Sequence, residues 1–202
     1  MDEFEKKKLS LRYWLLGKGY YTAVDALEFA ASYHTGMRKD KKTPEFQHQI
    51  EIAHYVRTLA LVHPELTIAA SLLHDVREDY DVSDAELRRR FGDDLTDICI
   101  TLDKNGKTVA AYYAGCAGNI ITSVVKGCDR IHNLQSMPGV FSKDKQRAYI
   151  RDVQDLFFPM LKSARRSFPQ QEAAYENIKY MLTSQIYLLE AALSEPEVSN
   201  VS

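Results

Sequence analysis

Between residues 70 and 81 the chain reads ASLLHDVREDYD. An apolar run, Ala70, Leu72 and Leu73, leads directly into His74, Asp75, Glu78 and Asp79. On a helix Glu78 follows His74 by four residues and Asp79 follows Asp75 by four, so each pair shares a face. Three carboxylates and an imidazole then crowd one end of an apolar rod. Like charges so close are unfavourable without a positive partner, and a metal ion meets that need. Two further residues could join it. His48 shares a helical face with Ile52, Tyr55 and Leu59 and so points inward, and Asp129 sits on an otherwise apolar stretch. Burying a carboxylate alone is costly, and a metal removes that cost. His48, His74, Asp75 and Asp129 supply two imidazoles and two carboxylates. That donor set suits a divalent ion such as Mn²⁺, with positions left for water and substrate.

Each residue also has an ordinary structural reading. A lone inward histidine is commonly a satisfied core residue, Asp129–Arg130 could be an internal ion pair, and HDVRED could be a solvated helix end neutralised by Arg77. His34, His54, His63 and His132 lie outside any motif and are read as structural or surface residues. Cys128 is read as a small core filler. Only the combination favours the metal.

Helices must position these residues, because a helical period dominates throughout. Nine glycines and six prolines in 202 residues are few for a strand-and-turn protein. The pattern predicts helices over 22–35, 45–61 and 64–80. Thr43–Pro44 is expected to cap the second as an N-cap and first-turn proline. Ser83 three residues before Glu86 is a capping-box signature, and Gly92 should end that helix before a short one near 93–102. DKNGKT is a polar loop. Residues 119–137 form a buried helix in which Gly127 costs propensity and implies a close packing contact. Two long amphipathic helices follow, over 144–166 and 169–193. The fold class is therefore all-α, a single helical bundle of about eight to ten helices.

Composition narrows the function. A hydrophobic content of 45% can fill a core without disulfides. Net charge −2 and a pI near 6.3 provide no global basic field, so general nucleic-acid binding is not expected. Cys99, Cys116 and Cys128 are odd in number and lack CxxC spacing, as expected of reduced, part-buried thiols in a cytoplasmic protein. The acidic start MDEFEKKKLS is unlike a secretory signal. No apolar run approaches the ~20 residues of a membrane span.

A histidine, then His-Asp, then an aspartate on successive helices resembles the HD-domain metal-dependent phosphohydrolases. The surrounding motifs are similar to the RelA/SpoT-homologue alarmone hydrolases in particular. HDVRED (74–79) resembles their His-Asp-x-x-Glu-Asp box, and KGCDRIHNL (126–134) their Lys-x-x-Asp-Arg-x-His-Asn box. MRKDKKTPEFQH (37–48) resembles their Arg-Lys loop and first metal histidine, although Phe46 and His48–Gln49 replace the usual tyrosine and His-Pro. The resemblance runs from about residue 25 to residue 165. It implies an HD hydrolase domain over 21–166, preceded by an N-terminal segment (1–20) and followed by a C-terminal packing helix (167–195) and a flexible tail (196–202). A chain of this length resembles a stand-alone small alarmone hydrolase without a synthetase domain.

The resemblance further implies hydrolysis of the 3′-pyrophosphate of guanosine tetra- or pentaphosphate, giving GDP or GTP and pyrophosphate. His48, His74, Asp75 and Asp129 would hold Mn²⁺, and Glu78 and Asp79 would orient water and accept its proton. Asn133 and Ser136 would contact the ribose–phosphate region, and Arg38 and Lys39 would bind phosphate or stack on the base. Lys143 and Arg147, in KDKQR, would add positive charge nearby. The same chemistry could act on adenosine alarmones, on the 2′-phosphate of NADPH or on a pyrophosphorylated nucleic-acid end. A non-catalytic nucleotide-binding or antitoxin-type partner is the alternative of another class. It would have no need for a water-activating acidic pair.

Overall fold

The computed structural model describes residues 1–194; the expected tail 196–202 lies outside the described residues. Eleven α-helical segments are present among them: α1 (Glu3–Lys18), α2 (Tyr21–Tyr33), α3 (Gln47–Val56), α4 (Pro64–Leu73), α5 (Val76–Asp79), α6 (Asp84–Leu102), α7 (Val109–Ala117), α8 (Ile120–Ser136), α9 (Lys143–Asp152), α10 (Phe158–Ser167) and α11 (Glu172–Ser194). Two residues separate α4 from α5, and α9 continues into α10 through a π-helical turn at Val153–Phe157. The segments thus form nine rods, an all-α bundle of the expected size. Apart from one isolated bridge between Met37 and Pro44, no strand pairing occurs among the described residues.

The bundle is built around α4. All seven residues from Thr67 to Leu73 are buried, and the helix packs against α2, α3, α6 and α8. Ala69, Ala70 and Ser71 are small enough to let four neighbours approach a single rod. His63 leads into it, with Pro64 in the first turn and Thr67 Oγ donating to the His63 carbonyl at 2.7 Å. Ser83 caps α6 by accepting from Glu86 N, and Gly92 breaks the helical path with φ 79° and ψ 178°. The two helices expected over 83–102 are joined at that kink.

Several boundaries differ from the periodic pattern. Thr43–Pro44 does not cap the second helix, which begins only at Gln47. Instead Asp40 accepts from Lys42 N, Thr43 N and Thr43 Oγ, and Arg38 N donates to the Thr43 carbonyl, closing residues 37–44 into a tight loop. The local carboxylate competes successfully with helix initiation there. The long helix expected over 144–166 forms as one continuous rod, with a π turn inside it because Pro159 has no N–H and its ring crowds the carbonyl four residues back. Two helices had no clear periodic signal. α1 buries only Leu11 and Leu15, and α7 is largely alanine, glycine and tyrosine.

Gly127 lies where α8 meets α11. A Cβ there would stand 2.7 Å from Cγ2 and 3.0 Å from Cδ1 of Ile178. Gly127→Ala is therefore expected to destabilise by about 1–3 kcal/mol, although alanine is the better helix former. Thermal melts of Gly127→Ala, Ile178→Ala and the double variant check this. The double variant should lose less than the sum of the singles, and simple additivity would remove the clash as the cause.

Candidate metal centre

Three helices bring the histidines and aspartates together. His48 comes from the first turn of α3, His74 and Asp75 from the break between α4 and α5, and Asp129 from the middle of α8. The expected uninterrupted helix over 64–80 does not form, and the break has a use. Consecutive residues on a regular helix diverge by about 100°, whereas here His74 Nε2 and Asp75 Oδ2 converge to 3.0 Å. His48 Nε2 lies 3.3 Å from Asp129 Oδ1 and 3.8 Å from Asp75 Oδ2, and His74 Nε2 lies 3.9 Å from Asp129 Oδ1. Ligand atoms of His48, His74 and Asp129 all fall within 4.8 Å of one another, and all three residues are buried.

The chemistry of this donor set fits a cation. His74 Nδ1 lies 2.7 Å from the Ser71 carbonyl, which can only accept, so Nδ1 carries the hydrogen. In the neutral ring, Nε2 then presents a lone pair to two carboxylates, and that nitrogen is buried without a hydrogen-bond partner. Burial alone would push His74 down, but Asp75 and then Asp129 outweigh it and hold the ring up to about 9. The site thus demands positive charge at Nε2, as a proton or as a metal ion. Burial would likewise raise Asp129, yet Lys126 and the two histidines hold it well below the usual carboxylate range.

The surrounding side chains orient these groups. Asp129 accepts from Lys126 Nζ and from Asn133 Nδ2, each at 2.6 Å, and Gln49 Nε2 donates to Asp75 at 3.2 Å. Asn133, one turn beyond Asp129, therefore positions this carboxylate directly. Arg77 does not neutralise the acids of its own segment. It turns away to Asp84 at 2.9 Å and Asp103 at 3.1 Å. Nor does Arg130 pair with Asp129: it reaches Asp152 at 2.9 Å and the Tyr113 hydroxyl at 2.6 Å.

A groove of about 1560 Å³ opens beside the cluster. Glu78 and Asp79 line it, with Glu78 paired to Lys104 and its carbonyl accepting from Asn105 at 3.2 Å. Loss of hydration, then the like charges of Asp75 and Glu78, pushes Asp79 up to about 6. Arg38, Lys39, Asn133 and Ser136 line it as well. Arg38 Nη2 lies 3.4 Å from Ser136 Oγ, and Lys39 Nζ sits 5.3 Å from the Phe141 ring.

Lys143 and Arg147 are not brought to this groove; Lys145 and Tyr149 are. The reason is helical phase. Positions 143 and 147 share one face of α9, and positions 145 and 149 share another. Arg147 instead donates to the Leu193 carbonyl at 3.0 Å, against α11. Lys145 Nζ approaches the Phe141 ring to 4.2 Å, so two lysines flank one aromatic face of the groove. Sequence reading also missed His132, whose Nδ1 lies 2.8 Å from His48 Nδ1. Burial, then His48, pushes His132 down to about 3. Spacing could have indicated Lys145 and Tyr149 as an i,i+4 pair. The box at 126–134 contains His132, but nothing local pointed to its contact with His48, 84 residues away.

The model of the HD domain family matches residues 26–109, which contain three of the four clustered residues. That stretch of the chain is similar to the HD-domain family. A probable guanosine-3′,5′-bis(diphosphate) 3′-pyrophosphohydrolase from Synechocystis sp. is 28% identical over 144 residues, covering 65% of this chain and 19% of that protein. A GTP pyrophosphokinase from Streptomyces antibioticus is 28% identical over 145 residues, covering 67% and 17%. The chain thus spans less than a fifth of the length of these curated relatives. A solved structure of a metazoan orthologue of SpoT that hydrolyses ppGpp superposes with a TM-score of 0.64 at 17% identity, over 81% of this chain and 95% of that one. This similarity shows a shared fold.

If the HD centre holds a divalent ion through these residues, His74→Ala and Asp129→Ala should each abolish stoichiometric metal after reloading and dialysis. Elemental analysis of folded protein checks this, and full retention in either variant would remove that residue from the ligand set.

Proposed function

We propose that this chain is a Mn²⁺-dependent hydrolase that removes the 3′-pyrophosphate from (p)ppGpp-type alarmones, giving GDP or GTP and pyrophosphate. One observation carries the reading. The His48, His74, Asp75 and Asp129 cluster opens onto a groove lined by the acidic pair Glu78 and Asp79 and by Arg38, Lys39 and Lys145. The names of the relatives support the choice of substrate. Three cysteines, all buried and unpaired, suit the reducing cytoplasm, and among the described residues no helix is long and apolar enough to cross a membrane.

His48, His74, Asp75 and Asp129 would hold Mn²⁺, which would supply Lewis acidity and a more acidic water. Glu78, paired to Lys104, and Asp79 would orient water and accept its proton. Asn133 holds Asp129 through its amide nitrogen. Its remaining donor and carbonyl can meet the ribose. Arg38 presents a flat guanidinium beside Ser136, suited to phosphate or to stacking on a base. The faces of Arg38 and Phe141 do not discriminate between purines, so a 3′-pyrophosphorylated adenosine nucleotide is the second substrate this groove favours.

Parallel incubation with ppGpp, ppApp, NADPH and dGTP, resolved by ion exchange, is the deciding experiment. Intact pyrophosphate should leave ppGpp in the presence of Mn²⁺, with dGTP untouched. Release of single phosphates, or activity on dGTP alone, would sink the alarmone reading; no turnover at all would favour a non-catalytic nucleotide-binding partner. Glu78→Gln and Asp79→Asn should keep the metal and lower turnover by about 10²-fold or more, the usual cost of losing a proton acceptor. Asn133→Ala should weaken both nucleotide and metal, because the structure ties it to Asp129 as well as to the groove. Metal loss in Glu78→Gln and Asp79→Asn would show instead that the pair builds the site.

A further inference from the structure

His132 stands edge-on to His48 with ring centroids 4.6 Å apart, and their Nδ1 atoms are 2.8 Å apart. Two ring nitrogens at that distance share one hydrogen, so one imidazole donates and the other accepts. The direction follows from the far end of His48. Its Nε2 is the atom that faces Asp129 and Asp75, and an ion held there takes the Nε2 lone pair. His48 must then carry its hydrogen on Nδ1 and donate it, and His132 Nδ1 must accept. A neutral imidazole that accepts at Nδ1 bears its hydrogen on Nε2. His132 lines the groove with Arg38 and Ser136, so that N–H belongs to the wall a nucleotide would meet.

The two histidines of the centre are thus held in different ways. His74 is fixed by the Ser71 carbonyl, which has no alternative role. His48 is fixed by a side chain that could equally well donate to it, and the wrong choice would put hydrogen on His48 Nε2, where the metal belongs.

We propose that His132 is a positioning residue that holds His48 in its metal-binding tautomer and offers its own Nε2–H to an anionic oxygen of the nucleotide. An acceptor at that N–H disfavours the wrong tautomer, so nucleotide binding strengthens metal binding, and linkage requires the reverse as well. This rests on His48 being a metal ligand as proposed above.

The full chain loaded with diamagnetic Zn²⁺ and labelled with ¹⁵N is examined by long-range imidazole correlation NMR. His48 should show its hydrogen on Nδ1 and His132 on Nε2. Calorimetric titration with Mn²⁺ then compares wild type, His132→Asn and His132→Leu. His132→Leu should bind the ion about 10–100-fold more weakly, the usual effect of removing the partner of a ligating histidine. His132→Asn, whose Oδ1 can still accept from His48, should keep the metal but bind adenosine 3′,5′-bisphosphate about tenfold more weakly. Unchanged Mn²⁺ affinity in a His132→Leu protein that melts like wild type, or hydrogen on His132 Nδ1 in the loaded protein, would overturn the proposal. Such a failure with pyrophosphate release intact would remove only the role of His132. The expected tautomers and affinities without release would keep that role and end the proposed activity.

Discussion

The lone pair of His74 Nε2 is the constraint from which the rest of the centre follows. The Ser71 carbonyl claims the hydrogen of the ring, and Asp75 and Asp129 face the nitrogen that is left. A neutral imidazole in that position would oppose two anions, so the centre favours positive charge at Nε2. Lys126 holds Asp129 Oδ2, while Asn133 donates to Asp129 Oδ1 and Gln49 to Asp75 Oδ2, the same oxygens that face the histidines. The amides fix the direction of these oxygens and add no charge to them.

Such a cluster can be buried only on a rigid support, and α4 provides it. Its small, fully buried side chains let α2, α3, α6 and α8 close around it, two of which carry His48 and Asp129. The helix stops at the point where the chemistry begins. By breaking between Leu73 and Val76, it turns two neighbouring residues toward one point. At Gly127 the absence of a side chain brings α11 against the outer side of α8, the helix that carries Asp129.

Both signs of charge line the groove beside the cluster. Glu78, paired to Lys104, and Asp79 are there together with Arg38, Lys39 and Lys145. Lys39 and Lys145 both rest against the Phe141 ring, at 5.3 Å and 4.2 Å from its centroid.

Local sequence determined the helical elements and the short-range chemistry. The Ser83–Glu86 box, the Gly92 stop, the bare position at Gly127 and the His74–Asp75 pair all express rules that act within a few residues. The clustering of His48, His74 and Asp129 was legible because these residues carry polar or charged groups on otherwise apolar helices, which is costly unless something compensates. Where local competition was close, periodicity misled: Asp40 captured the backbone ahead of Thr43–Pro44, and α3 began only at Gln47. Helical phase relative to neighbours was decided only in three dimensions, and it turned Lys145 toward the groove and Arg147 toward α11. The contact of His132 with His48 was also invisible in the sequence. A hydrogen bond between rings 84 residues apart depends on how closely α3 and α8 pack, and that distance is set by the whole core.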